Sequence, residues 1–312
     1  MKAQRNQTGR RFFLFRRPPG GTLPRTTIII YSLLILTAAG LIASCGGVVP
    51  DRYDTAIIDV PPDSSSFTVC FRIEDGISDT PHRIHRLDLF IYDADGAKEL
   101  LDYRRYDFLP DSVLLYGTGQ ERMMVAIANS CFDFNTDALS RFDSIEMIVW
   151  NFEDDSPGTP VMSGTCEIAP GGRSSITLTP LMARVQLGEI SNSMKGYLRL
   201  ENPRLYLDNM NASAELLRTV GFRPSETVDD PPVTPLPYDI GIFPQNPGTQ
   251  VFCYPNDTPG TIGTPATAIV LECEICGVTH NFSTSIPSVA RNSTTRIDII
   301  VNGPDSFESK IY

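Results

Sequence analysis

The chain has 312 residues with 26 Lys and Arg against 37 Asp and Glu, a formal net charge of −11. The first 44 residues hold seven of those bases and no acid, so the remainder carries −18. Such a chain offers no electrostatic footprint for nucleic acid and is repelled by phosphates.

The first element is a leader. Lys2, Arg5, Arg10, Arg11, Arg16, Arg17 and Arg25 precede an apolar run from Ile28 to Ala43, broken only by Tyr31, Ser32 and Thr37. A spanning helix needs about 20 apolar residues, and this run is shorter. A basic start, a short apolar core and small residues before a break describe an export signal over residues 1–44. Leu41-Ile42-Ala43-Ser44-Cys45 resembles the bacterial lipobox, which implies a diacylglycerol on the Cys45 sulfur, cleavage before it, and acylation of the new amine. Two or more acyl chains, palmitate among them, hold a protein on a bilayer far more firmly than one. Covalent lipid is the only non-protein group expected; no cofactor or metal is.

Residues 45–66 contain Gly46, Gly47, Pro50, Pro61, Pro62 and Ser64–Ser66 and read as a lipidated tether. Strands are predicted from there on. FTVCFRI (67–73) and HRLDLFIYDADG (85–96) alternate, the second placing Leu87, Leu89 and Ile91 on one face and ending in a hairpin signal at Asp95-Gly96. A return strand follows near Leu100–Tyr106, then ERMMVAIAN (121–129) and RSSITLTP (173–180), with one short helix at Thr136–Phe142 capped by Asn135 or Thr136.

After Pro180 a second series begins with ARVQLGEI (183–190), and GYLRLENPRLYLDNM (196–210) is read as two strand pieces joined at Asn202-Pro203. Seven prolines between 221 and 248 mark an excursion over the surface. TQVFCYP (249–255), TAIVLECEI (267–275), VTHNFSTSI (278–286) and TTRIDIIVN (294–302) complete the series, with Cys276-Gly277 at a tight turn. Evenly spaced short strands predict an all-β protein of two tandem β-sandwiches, residues 67–180 and 181–312.

Chemistry-bearing patterns are few. Cys273-Glu-Ile-Cys276 has redox spacing, but that chemistry wants a helix N-terminus and this pair sits at a strand end. Cys70, Cys131, Cys166, Cys253, Cys273 and Cys276 permit disulfides or equally serve as small apolar residues. His82 and His85 lack the helix that would aim two rings at one metal. Asp93-Ala-Asp95-Gly96 starts like a calcium loop without its later ligands, and Glu153-Asp154-Asp155 reads as a solvated loop. No nucleophile–base spacing or phosphate-binding glycine loop points to an enzyme. Asp-Ser/Thr-aliphatic triplets resemble a bacterial O-glycosylation signal and make Thr55, Ser112 and Ser144 candidates.

With the lipobox, IHRLDLFIYDADG, ITLTPLMARVQLGEI, PRLYLDNMN, VFCYPN, TAIVLECEICG and RNSTTRIDIIVN, residues 66–302 resemble the fimbrillin superfamily, in particular lipid-held anchor or accessory subunits of fimbriae. The resemblance implies transthyretin-like Greek-key sandwiches, an outer-membrane, cell-surface location through the lipid, other fimbrial subunits as partners, and assembly by strand exchange. Stalk subunits of that family lose a first strand by cleavage after a basic residue. Here Arg52 lies in the tether and Arg72 inside a predicted strand, which favours an anchor. On the same basis the last strand and tail are expected at the polymer contact, with Ile297, Ile299, Val301, Phe307 and Ile311 as its apolar pegs. The competing expectation is a surface lipoprotein that captures glycan or another ligand on its loops, Tyr238 or Phe243 included.

Overall fold

The computed structural model describes residues 64–74, 76–77, 82–217, 226–256 and 264–312, all within one compact unit, Val60–Tyr312. The leader, Cys45 and Thr55 lie outside the described residues.

The first half builds β1 (Ser64–Ile73), β2 (Leu87–Asp93), β3 (Leu100–Tyr106), β4 (Ser112–Thr118), β5 (Arg122–Ala128), β6 (Val149–Asn151), β7 (Met162–Ile168) and β8 (Arg173–Pro180). Seven of these form one sheet in the order β3-β2-β5-β7-β8-β1-β4. β7 and β8 share only the pairs Met162–Pro180 and Ser163–Thr179. There the sheet turns over, so that Phe67, Val69, Val113, Leu115, Ile176 and Leu178 meet Leu87, Leu89, Met124, Ala126 and Met162 in one core. The close approach requires Gly164, because a Cβ there would lie 2.1 Å from the Thr177 carbonyl oxygen.

The second half contributes β9 (Ala183–Asn192), β10 (Glu201–Asp208), β11 (Ser213–Glu215), β12 (Thr234–Pro235), β13 (Gln250–Cys253), β14 (Ala268–Ile275), β15 (Val278–Ser285), β16 (Thr294–Gly303) and β17 (Ser306–Ile311). Two four-stranded sheets, β13-β9-β16-β17 and β12-β10-β14-β15, close over Val185, Leu187, Leu205, Leu207, Ile269, Leu271, Ile297, Ile299 and Val301. In both halves the first strand lies parallel to a late one, β1 to β8 and β9 to β16, while the other pairings are antiparallel. The result is the all-β, sandwich-type architecture expected from the strand pattern.

A third layer was not foreseen. β2 and β5 are buried on both faces: Phe90, Tyr92, Val125 and Ile127 pack away from the first core against Leu139, Phe142, Ile145, Trp150, Leu216 and Tyr254. β6 pairs with β11 within this layer, so strands from either side of Pro180 interleave.

Three local expectations need correction. The helix α1 spans Phe142–Glu146, not Thr136–Phe142. Asn135 Oδ1 accepts the Asp137 N–H and makes a turn, while Phe142 and Ile145, three apart, turn one helical face into the third layer. β10 is one strand rather than two, with Asn202 at φ +49° and a register shift between Glu201 and Arg204 absorbing the Asn-Pro step. The described part of the proline excursion is pinned through β12 on β10 and through Leu236 and Ile240 in the second core. The Cys276-Gly277 turn is as expected, with φ of +53° and +77° joining β14 to β15.

Candidate assembly surfaces

Assembly by strand exchange requires either a slot that a strand can enter or a strand that can leave. β1 occupies the first kind of position. It pairs antiparallel with β4 over seven residues and parallel with β8 over six, and it alone links those two strands. Phe67 and Val69 are fully buried, and Arg72 sits exposed within the strand opposite Thr177. A protease would have to unzip β1 to reach Arg72.

β17 lies at the edge of its sheet and, among the described residues, pairs only with β16, from Gly303–Ser306 to Ile297–Ile311. Phe307 stacks edge-on to Phe282 at 5.6 Å, Thr284 and Ser309 hydroxyls hydrogen-bond at 2.8 Å, and Tyr312 Oη donates to Asp298 Oδ2 at 2.8 Å. The predicted peg residues therefore fall into two groups. Ile297, Ile299 and Val301 lie inside the second core on a central strand, whereas Phe307 and Ile311 are partly buried on the edge strand. Ser112 and Ser144 are both exposed, at the start of β4 and in α1.

The junction between the sandwiches carries a polar cluster that residue patterns did not reveal. Arg291 donates to the carbonyl oxygens of Pro180 (3.0 Å), Leu216 (2.8 Å) and Thr179, and to Ser163 Oγ (2.9 Å). Burial pulls its guanidinium down to about 10, still cationic at neutral pH. Asp155 departs from the solvated loop expected for Glu153–Asp155. Its carboxylate accepts the N–H groups of Ser156 (2.8 Å) and Val161 (2.9 Å) and the Tyr254 hydroxyl (3.1 Å), and burial pushes it up to about 6.

The remaining candidates are not gathered for chemistry. Cys273 is buried and Cys276 exposed on the turn; all six described cysteines are unpaired, and burial pushes Cys273 to about 11 and Cys253 to about 12. Neutral thiols of that kind are poor nucleophiles. Among the described residues no three His, Cys, Asp or Glu side chains converge on a metal position. Asp93 is paired with Arg122 at 3.2 Å. At the end of the second sandwich remote from Arg291, the β9–β10 connection and the proline excursion expose Tyr197, Tyr238 and Phe243.

No family model matches the sequence, and no curated protein matches it. Solved structures do match in fold. The fimbrilin FimA of Porphyromonas gingivalis superposes with a TM-score of 0.57 at 11% identity, covering 77% of this chain and 91% of that one. The tip fimbrial protein Mfa3 of the same organism gives 0.51 at 12%, covering 80% and 98%. A fimbrial assembly protein of Parabacteroides distasonis gives 0.51 at 12%, covering 80% and 95%. The chain shares the overall fold of these solved fimbrial proteins.

Proposed function

We propose that this protein is a structural subunit of cell-surface fimbriae, an anchor or accessory subunit held in the outer membrane by lipid on Cys45 and joined to other subunits by strand exchange. The observation that supports the reading is the fold itself, which matches solved fimbrial proteins over nearly their whole lengths. β17 follows the strand that closes the second sandwich and contributes only Phe307 and Ile311 to its core. It is thus the strand that can be given up at least cost, and pairing it to another subunit would satisfy its backbone there. β1 remains seated, consistent with a subunit that keeps its own first strand between lipid and fold. No enzymatic activity belongs to this reading.

The test is an outer-membrane extract of the producing cells run on an unheated detergent gel. Wild type should migrate in a high-mass complex with a second subunit, dissociating only on heating; a chain ending at Gly303 should lose the complex. Migration of the wild type as a monomer without heating would overturn the proposal.

A second reading, capture of a glycan on loops, is favoured by the exposed Tyr197, Tyr238 and Phe243. It predicts binding by the monomer and loss of binding on their replacement by Ala.

A further inference from the structure

Sheet edges are templates for another chain, and folded proteins blunt them with brevity, proline, charge, bulges or a covering contact. Among the described residues the sheet edges follow that rule, with one exception. β3 carries Asp102, Arg104 and Arg105, and a register shift interrupts its pairing with β2. β12 has two residues, one of them Pro235, and β13 has four. β15 is covered by side chains of β17 through Phe282–Phe307 and Thr284–Ser309, and β17 bears Glu308 and Lys310.

β4, SVLLYGT, has none of these devices. Its register with β1 is unbroken over all seven residues, and among the described residues it pairs with no other strand. No charged residue or proline lies between Asp111 and Glu121. Val113 and Leu115 point into the core at 6% and 3% exposure, while Leu114 and Tyr116 stand outward at 49% and 45%. Seven uncharged, mostly apolar residues on an open edge are what strand addition selects.

We infer that β4 pairs antiparallel with β4 of a second copy of this chain, about a two-fold axis through Leu115. The occupant is argued from the strand's self-complementarity. In that register Leu114 lies opposite Tyr116 of the other copy, Val113 opposite Gly117, and Leu115 opposite Leu115. Apolar pairs therefore meet on both faces, and the contact is isologous, as closed two-fold assemblies are. Charge decides against β3 and β17, where two acidic copies would meet through Asp102, Arg104, Arg105, Glu308 and Lys310. Brevity excludes β12 and β13, and the contacts from β17 cover β15. Asp111 falls opposite Gly119, not opposite another acid. The pairing uses the outer edge of β4 and leaves β1 in place, so it does not depend on strand exchange or on lipid.

The test uses the full chain in the cells that produce it. Directly opposed antiparallel positions bring Cβ atoms to about 4.5–5.5 Å, close enough for a disulfide with slight adjustment. The double variant L114C/Y116C should give a covalent dimer on a non-reducing gel, at least tenfold above the wild-type background from the native cysteines. A control pair on β15, T279C/N281C, should stay at that background. L114K, at an exposed position, should keep the fold by circular dichroism and lower the dimer fraction at least tenfold in sedimentation. Cross-linking no greater than the control, cross-linking to a different protein, or a dimer that survives L114K would each overturn the assignment.

Discussion

Arg291, in the loop before β16, donates its Nε–H to the carbonyl oxygen of Pro180 at 3.0 Å, tying the closing segment of the second sandwich to the last residue of β8. The same guanidinium reaches Leu216 and Ser163, so one side chain satisfies backbone groups from three separate segments. Carbonyl groups at a sheet junction have no ladder partner of their own, and leaving them buried without a donor is costly.

Replacing Arg291 by Met should therefore destabilise the protein by about 2–4 kcal/mol, from charge-assisted bonds lost and carbonyls left unsatisfied. A guanidinium-chloride titration checks this. An unchanged midpoint would mean that water replaces the guanidinium freely.

Asp155 predicts a pH dependence of definite sign. Its folded value of about 6 stands above the ordinary 3.8 because burial outweighs its hydrogen bonds. A carboxyl raised in the folded state contributes stability that is full below about 3.8 and lost as pH rises through about 6. Wild type minus Asp155→Asn, compared by thermal unfolding at several pH values, should show that component shrinking between those limits. A difference independent of pH would contradict the burial of this carboxyl.

The predicted peg residues should separate by experiment as they do in space. Ile299→Ala, in the second core, should cost about 2–5 kcal/mol. Removing residues 306–312 should cost only about 1–2 kcal/mol, because Phe307 and Ile311 are partly buried. Loss of folding on truncation would show β17 to be integral to the sandwich.

Gly164→Ala should destabilise by about 1–3 kcal/mol, since the new methyl meets the Thr177 carbonyl and either β7 or β8 must move. Urea unfolding measures it, and a neutral result would show that the turnover of the sheet tolerates a side chain.

The sequence reveals strands where alternation is clean. RSSITLTP coincides with β8 over all its residues, and the spans of β9 and β14–β16 differ from expectation only at their ends. β4 was missed because Val113, Leu114 and Leu115 are consecutive apolar residues, so burial on one face and exposure on the other leave no period of two. β7 was missed because MSGTCEI is dominated by small polar residues whose place is set by the β5 ladder. The third layer left no trace, since Leu87, Leu89 and Ile91 already explained β2 while Phe90 and Tyr92 serve a second core. Arg291 was illegible for a different reason. Its partners are mostly backbone carbonyls, which carry no residue signature.

The most direct measurement is growth of the producing organism with a labelled fatty acid, comparing wild type with Cys45→Ala and shearing each culture for fibres. A lipid-held fimbrial subunit predicts label on the wild-type chain only, and fibres shed or shortened in the variant. Label absent from the wild type, or fibres unchanged when it is lost from the variant, would contradict it.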